Sequence, residues 1–390
     1  MRGFGLLRAL GIGLAAAVMA ACQAPAARAP SPAPAAPGGA PAAAAPTVAS
    51  ATAGGAATAA PSDGAPAAYR PGPPLSPRVK VVLADIKSTA DGGFYLALDK
   101  GYFAEEGLDV EMTPFDTSAL QVSALGTNQL DVGVGSLNAG LLNAVGRGVK
   151  LKIVADRATL INGALSFMVR KELIDSGQIQ GWQDFKGRPV ANNGTGTAAQ
   201  LALIRGLASA GLTLNDVDQK IVGFADMVPA LNSGALDMGV MIEPLISAAI
   251  ERGIAVRWQR AIDAFPNLEI AQVYYSEGFA QNTEAANRFM IAYLRGVREY
   301  NDGMFKMRPN RPEVIQSLIN HTSIKDPALY DKMEMSWVNP NGHLQVENLK
   351  EQQREFAALG LLEGPPVDLD RIVDTSYVEN ALRVLGVYQE

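Results

Sequence analysis

The stretch Asn193-Gly194-Thr195-Gly196-Thr197 places two hydroxyls and glycine-freed backbone amides just ahead of a helical run. Such a loop can cradle a carboxylate, sulfonate or phosphate, or be a plain glycine-rich turn. Three other loops invite the same question. Ser88 and Thr89 precede Gly92, Gly93 and Phe94, so amides at a helix start can face a ligand, or the loop is an ordinary tight connection. Ser136 and Asn138 follow a short apolar run, where Ser136 can donate to a ligand or only cap a helix. Glu243-Pro244 offers a carboxylate for a ligand amine, hydroxyl or cross-cleft base, but proline also simply starts helices. Asp156 and Asp226 lie just past expected strands. Of the adjacent Tyr274 and Tyr275, one can stack on a planar ligand while the other faces the core.

These groups suit binding better than catalysis. One cysteine in 390 residues excludes an intrachain disulfide and a cysteine-rich metal or cluster site. Two histidines, His321 and His343, give no credible triad, and no G-x-S-x-G is present. Gly194–Ala199 fits the dinucleotide pattern G-x-G-x-x-A. That fingerprint needs an acid at the end of the next strand, whereas Asp216 and Asp218 precede the expected strand at Ile221–Phe224. No Walker lysine follows the glycines. Residues 78–390 hold 29 basic and 38 acidic side chains, which argues against a nucleic-acid partner. The expectation is a protein that is not an enzyme, with no cofactor and no metal.

Alternating strands and helices must position these loops. Val79–Ala84 reads as a buried strand, Phe94–Glu105 as a helix capped by Gly107, and Leu108, Val110 and Met112 as a half-buried strand. Thr117 caps a helix, Asp131–Gly135 is a strand, Ser136 caps the next helix, and Leu151–Ala155 is another strand. Near Leu165 the order restarts. Ser166–Arg170 and Gln272–Tyr275 are strands that can cross between halves. Between them lie a helix at Ala198–Ala210, a strand at Ile221–Phe224, a helix at Met227–Asn232 and a strand at Asp237–Met241. This order predicts α/β sheets with parallel strands. Leu130-Asp131-Val132-Gly133-Val134 recurs as Leu236-Asp237-Met238-Gly239-Val240, 106 residues on, so the halves are expected to share a construction. Trp182, Trp258 and the Phe289, Tyr293, Val297, Tyr300 stripe are expected in cores.

The run Phe94 to Val110, with its Lys100-Gly101-Tyr102-Phe103 centre, resembles a signature of the periplasmic solute-binding proteins of ABC importers, in the nitrate/sulfonate/taurine and pyrimidine-precursor group. Leu130–Gly133, Leu236–Gly239, Asp184-Phe185-Lys186-Gly187, Glu243-Pro244 and the run from Val367 to Val378 resemble further elements of that group, in order, over about residues 79–385. The resemblance implies a two-lobed clamshell α/β fold with two crossover strands as hinge. Lobe I would be 78–165 with 272–390, and lobe II 166–271. It implies capture of a small organic solute and delivery to an ABC permease and its ATPase by a monomeric protein. A pyrimidine-synthesising enzyme of the same superfamily carries a cysteine-rich motif that this chain lacks. A sensory lipoprotein that reports its ligand to a signalling partner stays open.

The N-terminus reads as an address. Arg2 and Arg8 precede a short apolar run to Ala21, as in a signal peptide spanning 1–21. Met19-Ala20-Ala21-Cys22 resembles the bacterial lipobox, which implies lipidation of Cys22 and an extracytoplasmic protein held at the membrane. Of the 55 residues in 23–77, 41 are Ala, Pro or Gly. Such a segment has too little bulky apolar surface to offset its ordering entropy, so 22–77 is expected to be a disordered tether reaching roughly 40 Å.

Overall fold

The computed structural model describes residues 69–115, 118–266 and 268–389. In chain order the first half runs β1 (Val79–Asp85), α1 (Gly92–Asp99), α2 (Tyr102–Glu105), β2 (Leu108–Pro114), α3 (Ser118–Gly126), β3 (Val132–Gly135), α4 (Ala139–Gly146) and β4 (Leu151–Thr159). The second runs β5 (Leu165–Arg170), β6 (Pro189–Asn192), α5 (Ala198–Ala208), β7 (Asp218–Ile221), α6 (Phe224–Ser233), β8 (Met238–Ile242), α7 (Leu245–Glu251) and β9 (Ala255–Arg260). Then come β10 (Glu269–Ser276), the long helix α8 (Thr283–Met304) and, among later helices, α9 (Val346–Ala358).

The strands form two five-stranded sheets, ordered β2-β1-β3-β10-β4 and β7-β6-β8-β5-β9. Each sheet centres one lobe of a clamshell. The sheets are mixed rather than wholly parallel. β10 runs antiparallel to β3 and β4, and β5 runs antiparallel to β8 and β9. The reason is the crossover: the chain leaves sheet 1 at Thr159 and returns at Glu269, so each of these strands enters its sheet from the other lobe. The two connections touch where Leu160 N–H donates to Leu268 C=O at 2.9 Å.

The repeat has a structural counterpart. β3 and β8 each stand third in their sheets. Leu130 N–H donates to Ala124 C=O and Leu236 N–H to Ala230 C=O, both at 3.2 Å. A Cβ on Gly133 would lie 2.7 Å from Leu125, and one on Gly239 would lie 3.2 Å from Met227. In both lobes a glycine lets the preceding helix settle on the strand.

Several boundaries differ from the sequence expectation. The helix expected at Phe94–Glu105 is two, because Gly101 takes φ +74° and breaks the run. β7 ends at Ile221 and α6 already begins at Phe224, so the strand expected at 221–224 lies earlier. Thr117 lies outside the described residues. So do 1–68, and with them the signal peptide, Cys22 and most of the expected tether. The end of that stretch, Tyr69–Pro77, is fastened to lobe I. The Tyr69 hydroxyl donates to Glu106 at 2.6 Å, Arg288 donates to Pro73 C=O, and Leu75 N–H donates to Glu106 C=O.

α8 carries the lobe I core. Phe289, Tyr293, Val297 and Tyr300 are fully buried along one face. In lobe II, Trp182 packs edge-on against Phe167 and Trp258.

Candidate functional site

The carboxyl ends of β3 and β6 lead into the loops where the lobes meet, the usual ligand position for open α/β sheets. Ala139 N–H, at the start of α4 in lobe I, donates to Gly196 C=O of lobe II at 3.0 Å. A Cβ on Gly196 would lie 2.4 Å from the Ala139 Cβ. The predicted Ser136–Asn138 and Asn193–Thr197 segments are thus brought together across the lobes.

In lobe I the structure sorts the predicted residues into two groups. Asn138, not Ser136, caps α4: its Oδ1 accepts from Leu141 N–H at 2.9 Å, while its amide holds Ser136 C=O. Gln272 takes the neighbouring Leu137 N–H at 2.7 Å and also accepts the Tyr274 hydroxyl at 2.8 Å. Tyr274 therefore sits beneath the Gly135–Asn138 turn, and its hydroxyl lies 3.1 Å from Gly135 C=O. Tyr275 faces the other way and donates to Ala286 C=O in the α8 core. Ser136 stays partly exposed at the seam.

The Ser88–Phe94 segment is built for packing. Ser88 caps the turn Thr89–Asp91, and Thr89, fully buried, meets the Ser336 hydroxyl at 3.0 Å. A Cβ on Gly92 would lie 2.5 Å from the Tyr300 ring, and one on Gly93 would lie 2.5 Å from Val297. These glycines let α1 and α8 touch rather than opening amides to a ligand. Phe94 stacks on Tyr293 with ring centroids 4.2 Å apart.

Two charged clusters lie at the β4–β10 end, and sequence reasoning found only one member. Arg157, 2% exposed, holds the fully buried Asp91 through Nε at 2.7 Å and a terminal nitrogen at 2.6 Å. Burial pushes the Asp91 carboxyl up against the pull of Arg157. Beside it, burial pushes Asp156 up to about 7. Burial and the neighbouring Asp156 push Glu269 well above the usual carboxylate range. Two such neighbouring carboxyls cannot both ionise cheaply. Asp156 also accepts from Asn339 N–H at 2.6 Å and from Thr159, and Glu269 accepts from Gln345 N–H. Asp156 is thus satisfied from within the lobe.

In lobe II the expected anion nest is partly filled from within. Gln200 Oε1 takes Gly196 N–H at 2.6 Å, and Thr197 caps α5 while donating toward Asn193 and Gly194. Thr195 is exposed, and Asn193 and Gly194 are partly so. Glu243 is fully buried and already engaged by Ser247 N–H, the Ser247 hydroxyl and Arg257 at 2.9–3.0 Å. Its base is on β9 of its own lobe rather than across a cleft. Burial raises its carboxyl, against the pull of Ser247 and Arg257. Asp226 lies exposed in the first turn of α6. Two surface cavities lie elsewhere. One, of about 460 Å³, is lined by Val228, Pro229, Asn232, Arg252 and Ile254, and the other follows the β1–β2 edge.

This pairing of lobes is that of the periplasmic binding proteins, and the chain belongs to the family described as NMT1/THI5 like, matched over residues 88–302. A curated relative from Brucella abortus, described as a candidate binding protein, is 30% identical over 209 residues, or 53% of this chain. The chain spans 61% of that relative's length. Among solved structures, the periplasmic nitrate-binding protein NrtA from Synechocystis superposes with a TM-score of 0.67 at 14% identity, covering 80% of this chain and 90% of that one. The alkanesulfonate-binding protein SsuA from Xanthomonas axonopodis, solved with MOPS, gives 0.61 at 18% identity, with 77% and 98% covered. At these identities the likeness is one of fold. Among the described residues no helix is long and apolar enough to cross a membrane.

Proposed function

We propose that this protein is the extracytoplasmic solute-binding component of an ABC importer. It captures a small organic solute between its lobes and releases it unchanged to a permease. The observation that carries this reading is the seam itself: two sheets of matching strand order meeting at Ala139 and Gly196. Domain closure of this kind shifts a pre-existing equilibrium toward the bound form. The chemistry at the seam is polar and includes Ser136, Asn193 and Thr195. Sulfonates are a first choice of ligand because of the MOPS-bound neighbour, with pyrimidines, other heterocycles and aromatic acids beside them.

Thermal-shift screening of those classes and nitrate, followed by calorimetry, tests the reading, since a ligand that binds only the native state raises the melting temperature. Saturable one-to-one binding without product is expected. Accumulating product, or no response to any class, ends the reading. Thr195→Asp is expected to weaken an anionic solute about tenfold by like-charge repulsion and to spare a neutral one. Unchanged anion affinity removes this loop from the site.

Lipidation of Cys22 would keep the protein near its permease by raising its effective concentration there. Cys22→Ser is then expected to move the chain from the membrane fraction to the soluble one. Retention in the membrane fraction would refute the anchor.

A further inference from the structure

We propose that Glu334 is a clasp between the lobes, which sets how often the protein is closed and therefore how tightly it holds solute. The inference rests on the solute-binding reading for its purpose but not for its geometry.

Glu334 belongs to a strap that runs across the end of sheet 1. Thr159 N–H donates to Trp337 C=O, the Tyr300 hydroxyl to Ser336 C=O, and Asn301 to Val338 C=O. Asn339 N–H then donates to Asp156. These bonds fix the strap to lobe I. Its leading end reaches the first connection between lobes, where Asn162 donates to Met335 C=O and Gly163 N–H donates to Glu334 Oε2 at 2.6 Å. With no Cβ, Gly163 lets the Glu334 carboxylate come close, since a Cβ there would lie 2.9 Å from it.

The other oxygen, Oε1, reaches lobe II. It accepts from Arg257 at 2.5 Å and from Arg260 at 2.9 and 3.1 Å. One carboxylate therefore joins the strap, the connection and β9. Arg257 is 19% exposed and Glu334 22%, so this contact is only partly screened, whereas Arg260 is 53% exposed. Arg257 also holds the buried Glu243 at the end of β8. The clasp thus runs from lobe I through Arg257 to the loop that opens α7. Any rotation of the lobes that moves β9 away from the strap must break it. The charged contact favours the closed arrangement before solute arrives.

Labels at Glu111→Cys on β2 and Lys220→Cys on β7 report lobe separation in the full chain. Both positions are exposed, and Cys22→Ser removes the sole native thiol. Without solute, Glu334→Gln is expected to raise the open-to-closed ratio about tenfold, and Arg260→Gln about threefold. High salt should erase the Arg260 effect first. Distance distributions unchanged in both variants overturn the clasp. If Glu334→Gln fails to fold, Arg260→Gln decides alone, since it touches neither Gly163 nor Glu243. A wild-type protein that binds no solute would defeat the solute-binding reading, while the distances still decide the clasp.

Discussion

Gly196→Val is expected to weaken solute binding by about 100-fold or more while leaving both lobes folded. Gly196 takes φ +63°, a conformation that costs an ordinary L-residue roughly 1–2 kcal/mol and a β-branched one more. The steric term is larger. A new Cβ would lie 2.4 Å from the Ala139 Cβ and 3.0 Å from the Ala139 nitrogen. The lobes must then separate, and the Ala139–Gly196 hydrogen bond is lost. A protein whose competent state is rarely populated binds in proportion to that population. Calorimetry with a solute that the wild type binds measures the loss, and circular dichroism checks the fold. Two companions separate the causes. Gly196→Asn relaxes the backbone penalty, because Asn tolerates this region, yet keeps the clash, so it should remain weak. Gly196→Ala with Ala139→Gly removes the nearest atom and should recover part of the affinity. Wild-type affinity in Gly196→Val would mean that solute is held without this closure.

Local pattern made the scaffold legible. Most strands follow from apolar runs, and the 106-residue repeat foretold halves of a common construction, but the polar strand β7 was placed too late and β9 was not expected at all. The antiparallel strand in each sheet was not legible, because strand direction depends on which lobe the chain has just left. Cap choice was half legible. Ser136 and Asn138 are both good caps, and Gln272, 135 residues away, holds the intervening Leu137 N–H. The packing duty of two glycines was not legible. Gly92 and Gly93 are needed against Tyr300 and Val297, partners that no neighbouring residue announces. In the Asn193–Thr197 loop the missed signal was present. Thr197-x-x-Gln200 is a capping-box pattern, and its glutamine reaches back to the amide at Gly196. Arg257 and Glu334 carried no such mark, since their pairing spans 77 residues.

The same long reach makes Arg157 the most consequential omission for stability. Its partner Asp91 lies 66 residues earlier, and the pair staples the Thr89–Asp91 turn to β4. Arg157→Met should leave a fully buried carboxylate without its counter-charge, which typically costs 3–5 kcal/mol. At about 2.1 cal/mol/K of unfolding entropy per residue, a chain folded over 78–390 loses roughly 1.5 °C of midpoint per kcal/mol, so the melting temperature is expected to fall by roughly 5–8 °C. Asp91→Leu with Arg157→Met removes both charges and should restore most of it. Full recovery is not expected. Asp91 Oδ2 also accepts Ser88 N–H at 3.2 Å, and losing a capping contact costs about 1 kcal/mol. The order single, double, wild type in melting temperature is therefore the signature of a buried pair. A single variant within 2 °C of wild type would show that the guanidinium is not what keeps Asp91 in the interior.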